Sequence, residues 1–75
     1  MIYVFLADGF EETEAIAPID MLRRAEKDVV TVGVGTDGIK SSHGIPVLCD
    51  ITDMQVELDE RLEMIVLPGG MPGTL

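Results

Sequence analysis

The chain alternates between dense apolar runs and polar segments rich in glycine and proline, and the two kinds of stretch have different periods. Residues 2–7, IYVFLA, are continuously apolar and begin with β-branched and aromatic types. A strand covered on both faces reads this way, and such strands belong to parallel sheets flanked by helices. Residues 12–27, ETEAIAPIDMLRRAEK, carry helical spacing, with Ala15, Pro18, Ile19, Leu22 and Ala25 on one stripe. Acids open this segment and Arg23, Arg24 and Lys27 close it, as the helix dipole favours. Thr13 is the expected cap, which would place Pro18 early enough for its missing N–H to cost little.

Residues 29–34, VVTVGV, predict a second buried strand, followed by a turn at Gly35–Gly38. Residues 39–49, IKSSHGIPVLC, predict two short extended pieces around His43–Gly44, because Ser, Gly and Pro exclude a helix there. Residues 53–62 fit a short helix with Asp53 as its cap, and EMIVL at 63–67 fits a further buried strand leading into PGGMPG. The order β-α-β-hairpin-α-β predicts a mainly parallel α/β sheet with right-handed crossovers. A further helix is expected where the chain stops, so the 75 residues predict the N-terminal half of one α/β domain. Such a half-sheet would leave an apolar edge and one face uncovered, and independent folding is expected to fail.

Composition narrows the partners. Fourteen acids against five bases give a net charge of −9, which argues against nucleic acid and anionic membranes, since phosphate binding needs clustered Lys and Arg. Cys49 is the only cysteine, so no internal disulfide can form, as suits a reducing compartment. The apolar start lacks a basic flank and soon meets Asp8, and no run approaches the ~18 residues of a membrane span. A cytoplasmic location is expected.

Several motifs invite chemistry and most have a plainer reading. Gly33–Gly38, GVGTDG, fits the dinucleotide pattern G-x-G-x-x-G, but IKSSHGIP follows it and cannot supply the helix that would hold a pyrophosphate. It is read as a turn, and no cofactor is expected. Asp8, Glu11 and Glu12 suggest a phosphoacceptor cluster, but the strand ending in LPGG lacks the further Asp such domains need. These acids are read as loop and helix-start charge. His43 and Cys49 stand apart from any pair at ligand spacing, so no metal site is expected. Cys49, on an apolar segment, is read as a small buried hydrophobe, and His43 as a surface turn residue.

Glu14 is the strongest candidate. On a helix it shares a face with Pro18, Met21, Leu22 and Ala25, which would put a carboxylate into the apolar stripe. It also lies near the C-terminal edge of the first strand, where α/β sheets build their sites. A carboxyl in apolar surroundings tends to hold its proton and can act as a donor or general acid. The alternative is a helix-start Glu that bends to solvent. LPGG at Leu67–Gly70 falls at the same sheet edge, where glycine amides can approach a ligand and form an oxyanion hole.

Taken together, DGFEETEAIAPIDMLRRA and the later MIVLPGG resemble the ThiJ/PfpI superfamily, particularly its DJ-one-like branch. The resemblance covers nearly all of this chain but only the N-terminal part of the family's domain. It implies a flavodoxin-like α/β sandwich, usually a homodimer, with a reactive Cys on a nucleophile elbow beyond LPGG. It implies that Glu14, protonated, hydrogen-bonds that thiolate, and that Gly69 and Gly70 stabilise an oxyanion. The implied activity is cysteine-dependent chemistry on small reactive carbonyls, of glyoxalase or deglycase type, with a redox sensor or chaperone and a non-catalytic binding module as alternatives. Cys49 does not fit the elbow, so the nucleophile is expected on the remainder of the domain, which is either on another polypeptide or missing. Family members often carry Arg–Gly where this chain has His43–Gly44, a departure at the hairpin.

Overall fold

The computed structural model describes residues 1–69. Chain order runs β1 (Ile2–Leu6), α1 (Glu12–Arg24), β2 (Val29–Gly33), β3 (Gly38–Lys40), β4 (Pro46–Leu48), β5 (Ile51–Thr52), a 3₁₀ turn (Asp53–Gln55) and β6 (Met64–Val66). The strands β5, β2, β1 and β6 form one parallel sheet in that order, and β3 and β4 form a separate antiparallel hairpin. The parallel α/β architecture expected from the apolar runs is therefore present.

β1 is the central strand. It pairs with β2 from Ile2↔Val29 to Leu6↔Gly33, and with β6 from Ile2↔Met64 to Val4↔Val66. Ile2, Val4 and Leu6 point to one face and meet Ala15 and Ile19 of α1 in a cluster that also holds Phe10, Val29, Ile39 and Cys49. Tyr3 faces the other way and is also buried; its hydroxyl donates to the Glu57 carbonyl and accepts from the Glu57 N–H, both at 3.1 Å. The strand thus buries both faces, which is why it carries no charged residue.

The helix differs from its expected form at both ends. Its N-cap is Glu11, not Thr13: the Glu11 carboxylate accepts the Thr13 N–H at 3.1 Å. Pro18 is consequently the seventh helical residue, beyond the first turn, and the main-chain bond it would have made to the Glu14 carbonyl is missing. The helix stops at Arg24. Glu26 then adopts φ 61°, Glu26 N–H donates to the Arg23 carbonyl and Lys27 N–H to the Leu22 carbonyl. This is a Schellman ending built without the usual glycine, so the sequence carries no glycine to mark the stop.

The expected helix over 53–62 reduces to the 3₁₀ turn at Asp53–Gln55. Thr52 takes the capping position, while the Asp53 carboxylate is used elsewhere, accepting the Gly35 N–H at 3.0 Å. Asp50 ties three elements together: it accepts from Thr31 N–H at 3.0 Å and from Arg23 at 3.2 Å, and its own N–H donates to the Thr31 hydroxyl at 2.8 Å. At β6 the expected uncovered edge is visible, with Met64, Ile65 and Leu67 exposed.

The GVGTDG segment is a turn. A Cβ on Gly33 would collide with the Thr36 carbonyl oxygen, and Gly35 has φ 83°. The segment leads into β3 and opens no helix. Gly33→Ala is expected to destabilise the chain by at least about 2 kcal/mol, because rigid main chain must move. Gly38→Ala, where a Cβ meets nothing within 4 Å, should stay within about 0.5 kcal/mol of the parent. Urea unfolding of the two variants, measured side by side, checks the contrast.

Candidate active site

Parallel pairing brings the ends of β1 and β6 to one edge of the sheet, and α1 starts from that edge. The loop after β6 is held to the helix start by a main-chain bond: the Glu11 N–H donates to the Gly69 carbonyl at 2.9 Å. One turn further on, the Glu14 carboxylate lies against Gly69. A Cβ on Gly69 would sit 2.8 Å from Glu14 Oε1 and 3.2 Å from Oε2. Only glycine leaves room for this contact with the carboxylate where it stands.

Glu14 does not lie in the apolar stripe. The helix buries Ala15 and Ile19 and packs Leu22 against the core, whereas Glu14 and Met21 are exposed. The buried line is the stripe expected through Ala15, Ile19 and Leu22, and the face that Glu14 shares with Met21 is turned to solvent. Of the two readings of Glu14, solvent exposure holds for this chain, yet its carboxylate and Gly69 do meet as the two sides of one sheet-edge site. Gly70 falls outside the described residues.

The β3–β4 hairpin closes the other flank. The Asp8 carboxylate accepts the Lys40 N–H at 3.0 Å, the Lys40 carbonyl accepts the Gly9 N–H at 2.9 Å, and the Phe10 carbonyl accepts the Ser42 N–H at 2.8 Å. At the hairpin tip Glu12 accepts from the Ser42 hydroxyl at 3.2 Å, and His43 Nδ1 lies 2.7 Å from its other oxygen. A carboxylate only accepts, so Nδ1 is the donor in that contact. This pairing, between residues 31 positions apart, gave no sequence signal. The three acids read as loop and helix-start charge are therefore all engaged. Asp8 holds the hairpin, Glu11 caps α1 and Glu12 bonds the hairpin tip.

Ligand-type atoms of Glu11, Glu12 and His43 fall within 4.8 Å of one another, although His43 looked isolated in sequence. Each could offer one atom to a cation, but Glu11 already caps the helix and Glu12 already bonds His43. Between α1 and the hairpin run two open depressions of about 580 and 330 Å³, sharing Ile16, Asp20 and Val47 in their walls.

Cys49 is buried, as expected of a packing residue. Burial pushes its thiol pKa up, the neighbouring Asp50 and Asp37 charges add to this, and a hydrogen bond with Thr31 opposes it. A thiol held protonated and out of solvent is a poor nucleophile. Mass spectrometry is expected to find Cys49 unmodified by an aromatic disulfide reagent in a folded preparation and modified after denaturation.

Among the described residues, three carboxyls hold their protons less tightly than usual. The Glu12 carboxyl is lowered first by its own main-chain N–H and then by His43 and Ser42, against partial burial. Asp59 is lowered by the Arg61 side chain and N–H, and Glu63 by the chain's terminal ammonium and Lys27. A carboxyl with a depressed folded-state pKa adds stability that is present above its unfolded value and lost as pH falls through the folded one. Melting temperature is therefore expected to hold above about pH 5 and to fall between about pH 5 and 3, as a thermal-melt series across that range would read.

A flavodoxin-like α/β sheet with a carboxylate and a glycine loop facing each other at its C-terminal edge defines the class, and comparison with known proteins gives the family. The profile of the DJ-1/PfpI family matches residues 1–75, and the chain belongs to that family. It is 40% identical over 72 residues to Protein dj-1beta of Drosophila melanogaster, covering 95% of this chain and 38% of that protein. It is 32% identical over 69 residues to Deglycase TK1284 of Thermococcus kodakarensis, covering 92% and 41%. The solved structure of oxidized DJ-1 from Toxoplasma gondii superposes with a TM-score of 0.88 at 40% identity, covering 96% of this chain and 39% of that one. The chain thus spans about two fifths of the length of these relatives.

Proposed function

We propose that the chain supplies the acid and glycine walls of a cysteine-dependent enzyme that acts on small reactive carbonyls. The observation that carries this reading is the meeting of the Glu14 carboxylate with Gly69 at the C-terminal edge of β1 and β6. A relative named as a deglycase, 32% identical over 69 residues, supports the substrate class. In this reading Glu14, protonated, donates a hydrogen bond to a thiolate on the remainder of the domain and favours its charged form. The amides of Gly69 and Gly70 stabilise the oxyanion formed when that thiolate adds to a carbonyl. The thiolate adds to the carbonyl carbon, the carbonyl π pair moves onto oxygen, and a hemithioacetal forms once that oxygen takes a proton.

The same reading places the protein in the cytoplasm, joined to the rest of its domain and paired as a homodimer. Exposed Ile16 and Met21 on α1, with Ile45 and Leu48 at the hairpin, favour a covered face on that side. The second reading, a redox sensor in which Glu14 stabilises an oxidised form of the same Cys, draws support from the oxidized state in which the Toxoplasma gondii relative was solved.

Intact mass of the purified protein under reducing, denaturing conditions first establishes which polypeptides are present. Methylglyoxal consumption by that preparation then tests the function. Turnover that falls about 100-fold or more in Glu14→Leu is expected. A wild-type preparation that consumes no methylglyoxal, yet oxidises one Cys selectively with peroxide, would favour the sensor.

A further inference from the structure

We infer that Glu11 is a positioning residue: it sets the contact between Glu14 and Gly69 by fixing the first turn of α1 and the loop after β6 at the same time. The inference rests on the proposed function only for its catalytic meaning; the positioning itself is structural. Two independent contacts meet at Glu11. Its main-chain N–H donates to the Gly69 carbonyl at 2.9 Å, and its side-chain Oε1 accepts the Thr13 N–H at 3.1 Å. Its own carbonyl accepts the Ala15 N–H at 3.0 Å, so the helix is wound from this residue onward.

The geometry follows from chain connectivity. Glu14 is three residues on from Glu11, about one helical turn along α1. If the first turn is wound, the Glu14 carboxylate must return to the level of the Glu11 N–H, where Gly69 is already held. If the first turn frays, Glu14 is free to move from Gly69 although the loop remains in place. The cap therefore controls the site.

The choice of residue supports this. Helix N-caps favour Ser, Thr, Asp and Asn, whose short side chains reach the N2 or N3 amide directly. Here a Glu caps, with φ −82° and ψ 110°, and Thr13 is the second residue of the helix. Local capping preference alone would select a shorter side chain, and departures from local preference concentrate where a site is built.

The test is made by NMR on the labelled chain, in whichever preparation melts cooperatively: the chain alone or the chain with the rest of its domain. Losing the cap in Glu11→Ala is expected to speed exchange of the Thr13 and Glu14 amides about fivefold, and to move the Glu14 side-chain carboxyl carbon resonance and the Gly69 amide resonance. Glu11→Asp keeps a capping carboxylate and should restore all three. Faster exchange with an unmoved Glu14 carboxyl would make Glu11 an ordinary cap and overturn the inference, as would no change at all. If Glu11→Ala does not fold, Gly69→Ala probes the junction from the other side. The Glu14 carboxyl resonance and the exchange of the Glu11 amide must then move together, and movement of Glu14 alone overturns the inference. Methylglyoxal turnover is measured on the same samples. A moved Glu14 resonance in a protein whose wild type consumes none would leave the positioning role standing and sink the enzyme reading.

Discussion

Everything at the candidate site depends on the register of β1. This strand is hydrogen-bonded on both sides, to β2 and to β6, and buried on both faces. A one-residue slip would turn Ile2, Val4 and Leu6 away from α1 and set Tyr3 and Phe5 against it, breaking the packing on both faces. That penalty fixes where β1 ends, and therefore where α1 begins. The parallel partner β6 must end at the same edge, so strand pairing already brings the loop at Leu67–Gly69 beside the helix start. The contact between Glu11 and Gly69 then secures a proximity that strand pairing has already created.

The elements that could be read from sequence are those whose signal is local and repeated. Continuous apolar runs at 2–7 and 29–34 and the three-and-four spacing of the helix each draw on several residues at once. The same holds for the motif pair at the ends of β1 and β6, which pointed to the sheet edge that the structure brings together. What escaped was set by single residues or by distant partners. Spacing alone does not settle the face of Glu14, because Glu14 borders the buried stripe of Ala15, Ile19 and Leu22 on one side and exposed Met21 on the other. The cap moved from Thr13 to Glu11 because Glu is a poor intrinsic cap and gave no warning. The 53–62 helix failed because Asp53 is drawn to the Gly35 amide and Tyr3 holds the main chain of Glu57, both tertiary contacts. The pairing of Glu12 with His43 required knowing that the hairpin folds back onto α1.

The acidic excess also looks different once its members are located. Asp8, Glu11, Glu12, Asp50 and Asp53 each accept a hydrogen bond from a main-chain N–H or a side chain of another segment or turn. Their carboxylates hold loops to strands and start a helix. With short strands and few aromatic side chains, these bonds define loop geometry that apolar packing, being non-directional, cannot. The exposed ion pairs, such as Arg24 with Asp20, add little beyond solubility.

The exposure of Glu14 has a chemical consequence. An ionised carboxylate offers only acceptor oxygens. To donate a hydrogen bond to a thiolate, a carboxyl must keep its proton, and that requires desolvation or another negative charge beside it. Glu14 is exposed, and Gly69 is the neighbour brought against its carboxylate among the described residues. The acid function proposed for Glu14 therefore requires a third wall that excludes water. A thiolate set into that wall would meet both conditions at once, since its charge would favour a protonated carboxyl while the shared proton stabilises the thiolate. In the proposed pair the carboxyl donates and the thiolate accepts, so neither residue alone has the property the chemistry needs. The geometry of the proposed site comes from β1, α1 and β6, and the acidity proposed for Glu14 would come from what packs against it.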